Sequence, residues 1–509
     1  MIISLFLIRC HTEEHQGVII QGYVKNSNQE YIVLTHVPRF RGNLNFDNFK
    51  SIGTTIDKKG NFKVESETIT HGSNYSLEYK NRGIELSLFK GDNIHLQFDL
   101  NNPGNSLYAT GKGAGKINVI NLKQFEHVSF DPNWSINDFH SFSDSLVSSQ
   151  LDLLEAIYSG DVNNYIGLNT TDRGLIEKII VETPLTDAEY GFLKKRVLIK
   201  RYYLTDFITM KSKNNLLDSA IIDLTDPVFS FYNKQEYDMI DNLNDWHLAN
   251  GLDQILYVEF LKDKQNINSK LTYKDWRSFS NKPLQPEWVS SYLMNTFNTE
   301  VYDKFYGDQL AWFMTLGFSY EELYKDFKEQ CVNKKYLAVI DNYKNLLGNG
   351  INHLDDMVNH PEIKLNPENN TLNKTKFNSL IESYKGRPLY IVFWSAEYAG
   401  ASIIKHLPSL KDFEKTYKSE LEILNICIDK AENKSLWAAR IIDNSWAANH
   451  YFMPIEDNDS TLIKFSDQKT SSFCNGGANY AFIDREGNIN MEIGAPINLT
   501  KKEFEKYLD

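Results

Sequence analysis

Thiols are what this chain most lacks. Four cysteines, Cys10, Cys331, Cys427 and Cys474, are scattered over 509 residues, with no Cys-x-x-Cys and no paired spacing of the kind that builds a zinc site or a disulfide framework. His-Glu-x-x-His, a P-loop and a Gly-x-Gly-x-x-Gly context are missing too, so no metal and no cofactor is expected. Positive charge is short: 54 lysines and arginines stand against 67 acidic residues, a formal charge of -13. Such a surface repels a phosphate backbone, which removes nucleic acid from the expected partners. No run of apolar residues is long enough to span a bilayer, and no fixed-period repeat is present.

What is there is core-forming. Hydrophobic residues make up 41% and aromatic residues 13% of the chain, the composition of a globular protein, and the length exceeds what one core organises, so several domains are expected. Residues 1–16 form a separate leader-like stretch. The apolar run Ile2 to Ile8 is close to the shortest signal-peptide core, and Leu7-Ile8-Arg9-Cys10 resembles a bacterial lipoprotein processing site. Cys10 would then carry the lipid, anchoring the protein to a membrane of the cell envelope. Arg9 stands where a small residue is usual.

Residues 17–115 read as a β domain. GYVKNSNQEYIVL, TTIDKKGNFKVES, SNYSLEYKN and KGDNIHLQFDL are short alternating runs separated by Asp-x-x-Gly or Gly-Asp turns, the pattern of an antiparallel β-sandwich. Residues 116–375 change to helical periodicity, as in SSQLDLLEAIYSG, EYGFLKKRVLIKRYYLTDF and LAWFMTLGFSYEELYKDF. Those stripes are core formers first and walls of a ligand pocket second. The Asn/Pro-rich stretch His360 to Thr375 reads as a linker.

From residue 376 to 509 strands and helices alternate. LYIVFW and LEILNICI are continuous apolar runs, as expected of parallel strands covered on both faces. Between them Ile403, Leu407, Leu410, Phe413 and Tyr417 keep helical spacing. NYAFIDREGNINMEIG reads as a hairpin turning at Glu486-Gly487, and Thr500 with Glu503 as a capping box before a last helix. KGRPLYIVFWSA, the IxIDK run ending at Lys430, SLWAARI, SWAANHY and NYAFIDREGNI are similar to the TlpA-like branch of the thioredoxin-fold proteins of the bacterial envelope. The resemblance is sharp over about 130 residues and implies a C-terminal α/β thioredoxin-like fold behind a β domain and a helical region.

In that family a tryptophan, here Trp394, leads into Cys-x-x-Cys at a helix start, where backbone N–H groups and the helix dipole lower a thiol's pKa. Counting from Trp394 places the pair on Tyr398 and Ala401; counting back from Pro408 places it on Ala399 and Ser402. Neither frame holds a cysteine. The family's cis-proline position falls on Ala478. The resemblance therefore implies a redox-inactive relative that binds or scaffolds a peptide or protein partner. The competing expectation is a thiol-disulfide oxidoreductase that uses Cys474, in the SSFCNGG loop, or a partner's thiol. Cys427 reads as core. Ser402 and His406 stand one turn apart, as a hydroxyl–imidazole pair would, but no orienting acid is near in sequence. Glu456 to Ser460 lacks the glycine and glutamate of a calcium loop.

Overall fold

A computed structural model describes residues 17–28, 30–36, 51–79, 82–125, 131, 134–161, 170–203, 207–208, 221–224, 245–264, 270–272, 276, 284–315, 320–348, 370–396, 400–429, 431–443, 446, 448–454, 478–490, 493–496, 499 and 504–508. The chain is built from several units that mix sheets and helices.

Among the described residues, eight strands make two facing sheets. β1 (Val18–Lys25), β2 (Tyr31–His36), β3 (Ile52–Thr55), β4 (Asn61–Ser66), β5 (Ser73–Tyr79), β6 (Arg82–Leu88), β7 (Asn93–Asp99) and β8 (Tyr108–Lys112) are arranged as β4-β1-β7-β8 and β3-β2-β5-β6. Alternation drives this: in β4 every second residue is buried, and Ile20, Phe62, Val64 and Leu96 of one sheet share a core with Ile32, Leu34, Leu77 and Leu86 of the other. The Asp57 carboxylate accepts the backbone N–H groups of Lys59 and Asn61 at 2.7 and 2.8 Å, while Gly60 takes φ 88°, so the expected Asp-x-x-Gly turn has its mechanism.

Two features differ from expectation. The stretch Gly22 to Leu34 contributes to two strands that lie in opposite sheets, with Asn26 at φ 61° between them. Because the chain crosses over there, β1 pairs antiparallel with β4 but parallel with β7, Ile19 opposite Asn93 through Lys25 opposite Asp99. The sandwich is thus not wholly antiparallel.

Nine helices of seven residues or more follow among the described residues up to 348: α1 (Ala114–Ile120), α2 (Ile136–Ser159), α3 (Thr170–Glu182), α4 (Asp187–Leu198), α5 (Trp246–Lys264), α6 (Pro286–Thr296), α7 (Thr299–Thr315), α8 (Glu321–Gln330) and α9 (Lys334–Gly348). Reciprocal capping boxes start α2 (Ser135 with Asp138) and α4 (Thr186 with Glu189). A two-stranded ribbon, β9 (Ile221–Asp223) with β10 (Lys270–Thr272), interrupts the helices. The stretch Leu310 to Phe327 spans the end of α7 and most of α8, and is not one helix; its periodicity survives because Leu310, Met314, Leu323 and Phe327 enter one cluster.

The C-terminal sheet has the order β13-β12-β11-β14-β15. It is made of β11 (Leu389–Trp394), β12 (Glu422–Asp429), β13 (Asn449–Pro454), β14 (Asn479–Ile483) and β15 (Ile489–Asn490). β11, β12 and β13 run parallel, β14 is antiparallel to β11, and β15 turns back antiparallel to β14 to close the expected hairpin. Helix α10 (Lys374–Ser383) covers one face, and α11 (Gly400–Tyr417) and α12 (Lys434–Asp443) the other. Leu389, Ile391 and Phe393 point to the first side and Tyr390, Val392 and Trp394 to the second, which is why LYIVFW is apolar without a gap. β13 was not foreseen, since Asn449, His450 and Pro454 interrupt its apolar pattern; it borders β12 on one side and Thr371 on the other. The expected linker gives way at its end to α10, capped by the Asn373 side chain. Thr500 and Glu503 lie outside the described residues.

Strand β2 joins the units. Ile32 and Leu34 belong to the sandwich core, but Val33, with Tyr31 packed beside it, belongs to the cluster of Trp394, Leu407 and Phe413. Helix α11 packs on β2 and β3 from outside the sandwich. Gly53 allows this, because a Cβ there would lie 2.2 Å from the Tyr31 hydroxyl oxygen.

This two-faced strand gives a test. Val33→Ala should reduce amide-exchange protection along α11, and Ile32→Ala should reduce it in β5, each at about 1 to 3 kcal/mol. Equal losses at both places from either variant would contradict the alternation.

Candidate functional site

Ligand sites of open α/β sheets lie outside the carboxyl ends of the parallel strands, and Trp394, Ala401, Ser402 and Ala478 fall at that end. β11 is buried along its whole length and passes through the buried residues Ser395 and Ala396 before α11 begins at Gly400. The Ser395 hydroxyl donates to Asp429 Oδ2 at 2.9 Å, and the Asn433 amide donates to Asp429 Oδ1 at 2.7 Å. One buried carboxylate thus ties the ends of β11 and β12 to the turn before α12. Trp394 is 2% exposed, 5.5 Å from the ring of Trp446, and its indole N–H finds no hydrogen-bond partner among the described residues.

Ala401 and Ser402 fall in the first turn of α11, and Tyr398 and Ala399 lie outside the described residues. Ala478 is partly buried against the Trp394 cluster, one residue before Asn479, which pairs with Phe393. The structure therefore brings Trp394, the start of α11 and Ala478 to one end of the sheet. Cys10, Cys474 and Glu456 to Ser460 lie outside the described residues. The side chain of Ser402 does too, and the His406 Nδ1 shares a 2.8 Å hydrogen bond with the Tyr480 hydroxyl.

No thiol is prepared for chemistry among the described residues. Cys427, opposite Trp394 in register, is fully buried; burial and the Asp429 carboxylate push its pKa well above the usual thiol value. Burial and Asp303 push Cys331 up to about 12. Both remain protonated at neutral pH, whereas attack on a disulfide requires thiolate. No group of three or more metal-ligating side chains occurs among the described residues, and no described helix is long and apolar enough to cross a membrane.

Two polar concentrations escaped the sequence reading. Behind α11, the Asn425 amide donates to Glu414 Oε1 at 3.3 Å, and burial raises the Glu414 carboxyl from 4.5 to about 7, outweighing Asn425 and the nearby Trp446 indole. Asn425 pairs across the sheet with His450, whose imidazole burial holds down at about 3. Neutral His450 donates from Nε2 to the Trp446 carbonyl at 2.9 Å. The signal was Asn425, a lone amide inside LEILNICI. The second concentration joins the sandwich to the helices. Lys116, 0% exposed, reaches Asp92 at 2.8 Å and Glu189 at 3.3 Å. Arg196 reaches Glu85 at 2.6 Å, Ser87 at 2.9 Å and Asp245 at 3.6 Å.

No family model matches the chain, and no curated protein does. A solution structure from Bacteroides vulgatus described as a thiol-disulfide oxidoreductase is similar at 22% identity with a TM-score of 0.18, over 25% of this chain and 75% of that one. A likeness of that size carries no weight beside the topology.

Glu414 makes stability depend on pH. The folded carboxyl keeps its proton up to about 7 whereas an unfolded one releases it near 4.5, so the folded state binds more protons between those values. Its contribution is full below the lower value and is lost as pH rises through the upper one. Glu414→Gln should flatten the fall in the urea midpoint between about pH 5 and about pH 7.5; an unchanged slope would assign the dependence elsewhere.

Proposed function

We propose that residues 376–509 are a thioredoxin-like unit that has kept its scaffold and lost its thiol chemistry, and that the protein binds or scaffolds a peptide or protein partner. One observation carries this reading: from Trp394 to Pro408, where either frame would set a Cys-x-x-Cys, the sequence has no cysteine. The strand–helix–strand order of β11, α11 and β12, the antiparallel hairpin beyond them, and an alanine at position 478 support it. The partner would occupy the end of the sheet bounded by Trp394, the start of α11 and Ala478. A sandwich of residues 17–115 and a helical region of residues 116–375 would hold this unit in place.

Purified protein with dithiothreitol should leave insulin disulfides at the background rate of reduction, because neither the attacking nor the resolving thiol is supplied. Turnover abolished by Cys474→Ser would replace the binding role with a single-thiol oxidoreductase. Turnover that survives Cys474→Ser would place the chemistry elsewhere.

The same proposal sets the protein in the bacterial cell envelope through lipid on Cys10. Full-length protein should fractionate with membranes and Cys10→Ser should be released; wild type retaining Met1 in the soluble fraction would refute the anchor.

A further inference from the structure

Near its C-terminal end, α11 is held from two sides. Asp412 meets the Tyr31 hydroxyl of the sandwich, and Glu414, two residues on, reaches β12, where the wholly buried Asn425 amide donates to Oε1 at 3.3 Å. The other end of that amide is the unusual atom. Asn425 Oδ1 is buried and accepts no hydrogen bond among the described residues, a costly state that calls for a donor. His450, opposite Asn425, does not supply one: its Nε2 hydrogen is committed to the Trp446 carbonyl, which leaves Nδ1 an acceptor.

A carboxylate cannot fill Oδ1, but a protonated carboxyl has both an O–H donor and an acceptor oxygen. Against a primary amide it can close a two-way pair. Burial lifts Glu414 to about 7, against the contacts of Asn425 and Trp446 and the charge of Lys411 earlier on α11. On the sheet side the His450 imidazole and the Cys427 thiol are uncharged at neutral pH. Arg440 on α12 and Glu505 beside Tyr417 make no ion pair with Glu414 among the described residues. Glu414 is partly exposed, so its proton can pass to water.

We propose that Glu414 is a proton-operated clasp: its protonated carboxyl donates to Asn425 Oδ1 while accepting from the Asn425 amide, and loss of the proton breaks the first bond and loosens the last turns of α11 from β12. The helix so released is the one that joins the C-terminal sheet to the sandwich and begins at the candidate site.

Hydrogen–deuterium exchange of the full chain, corrected for the intrinsic pH dependence of amide exchange, tests the clasp without a partner, so its failure leaves the reading of the sheet end untouched. Protection over the last turns of α11 should fall about tenfold or more between about pH 5.5 and about pH 8.5, because the closed form holds a proton that the open form releases at least one pKa unit lower. Glutamine keeps both halves of the pair at any pH, so Glu414→Gln should retain at pH 8.5 the protection that the wild type shows at pH 5.5. Asn425→Leu keeps the strand apolar and removes the pair, and should lower protection of α11 already at pH 5.5. Circular dichroism melting of each variant confirms its fold. Wild-type protection that does not change with pH, a measurement that needs no variant, would overturn the proposal. The same fall persisting in Glu414→Gln, or undiminished protection at pH 5.5 in folded Asn425→Leu, would overturn it as well.

Discussion

Both faces of strand β2 are buried, each in a different core, and much of the molecule follows from that. Ile32 and Leu34 seal the sandwich while Tyr31 and Val33 complete the cluster built on Trp394, Phe413 and Trp437. A strand with period two cannot slip by one residue without exchanging those faces, so the register of β2 against β3 and β5 is held from two directions. The pairing of Val33 with Gly53 matters for the same reason, since the absent side chain lets Tyr31 lie across the sheet. Helix α11 is thereby fixed between two sheets, and the start of that helix is where the candidate site lies.

Charge provides the second constraint. Lys116 and Arg196 are buried where the sandwich meets α1 and α4, and each is matched by more than one carboxylate. Pairs of this kind add little net stability compared with apolar packing, yet removing one partner leaves a buried charge and costs about 3 to 5 kcal/mol. Their geometric demand orients α1 and α4 on the sheets.

The end of the C-terminal sheet is braced by buried polar groups. Ser395, Asp429 and Asn433 close a hydrogen-bonded tie across the strand ends, and His406 is joined to Tyr480. These interactions brace the surroundings of a helix start and supply no nucleophile. Burial keeps Cys427 protonated, so its place beside Trp394 gives it no route to thiolate chemistry.

Periodicity and turn chemistry were enough to read the sandwich strands, the helical middle, β11, α11, β12 and the β14–β15 hairpin from the sequence, because each is written in consecutive residues. The absence of Cys-x-x-Cys was legible for the same reason. Other features depend on residues far apart in the chain. The parallel pairing of β1 with β7 follows from a crossover, and β13 owes its place to β12 and Thr371 more than to its own pattern of Asn449, His450 and Pro454. Asn425 was read within a continuous apolar run, and its place beside Glu414 and His450 came from the fold; the pairing of Asp245 with Arg196 likewise joins residues far apart in the chain. Local sequence determined which segments could be strands and helices; only the tertiary structure decided which polar groups would share a buried space, because burial and pairing energies arise from groups brought together through the fold.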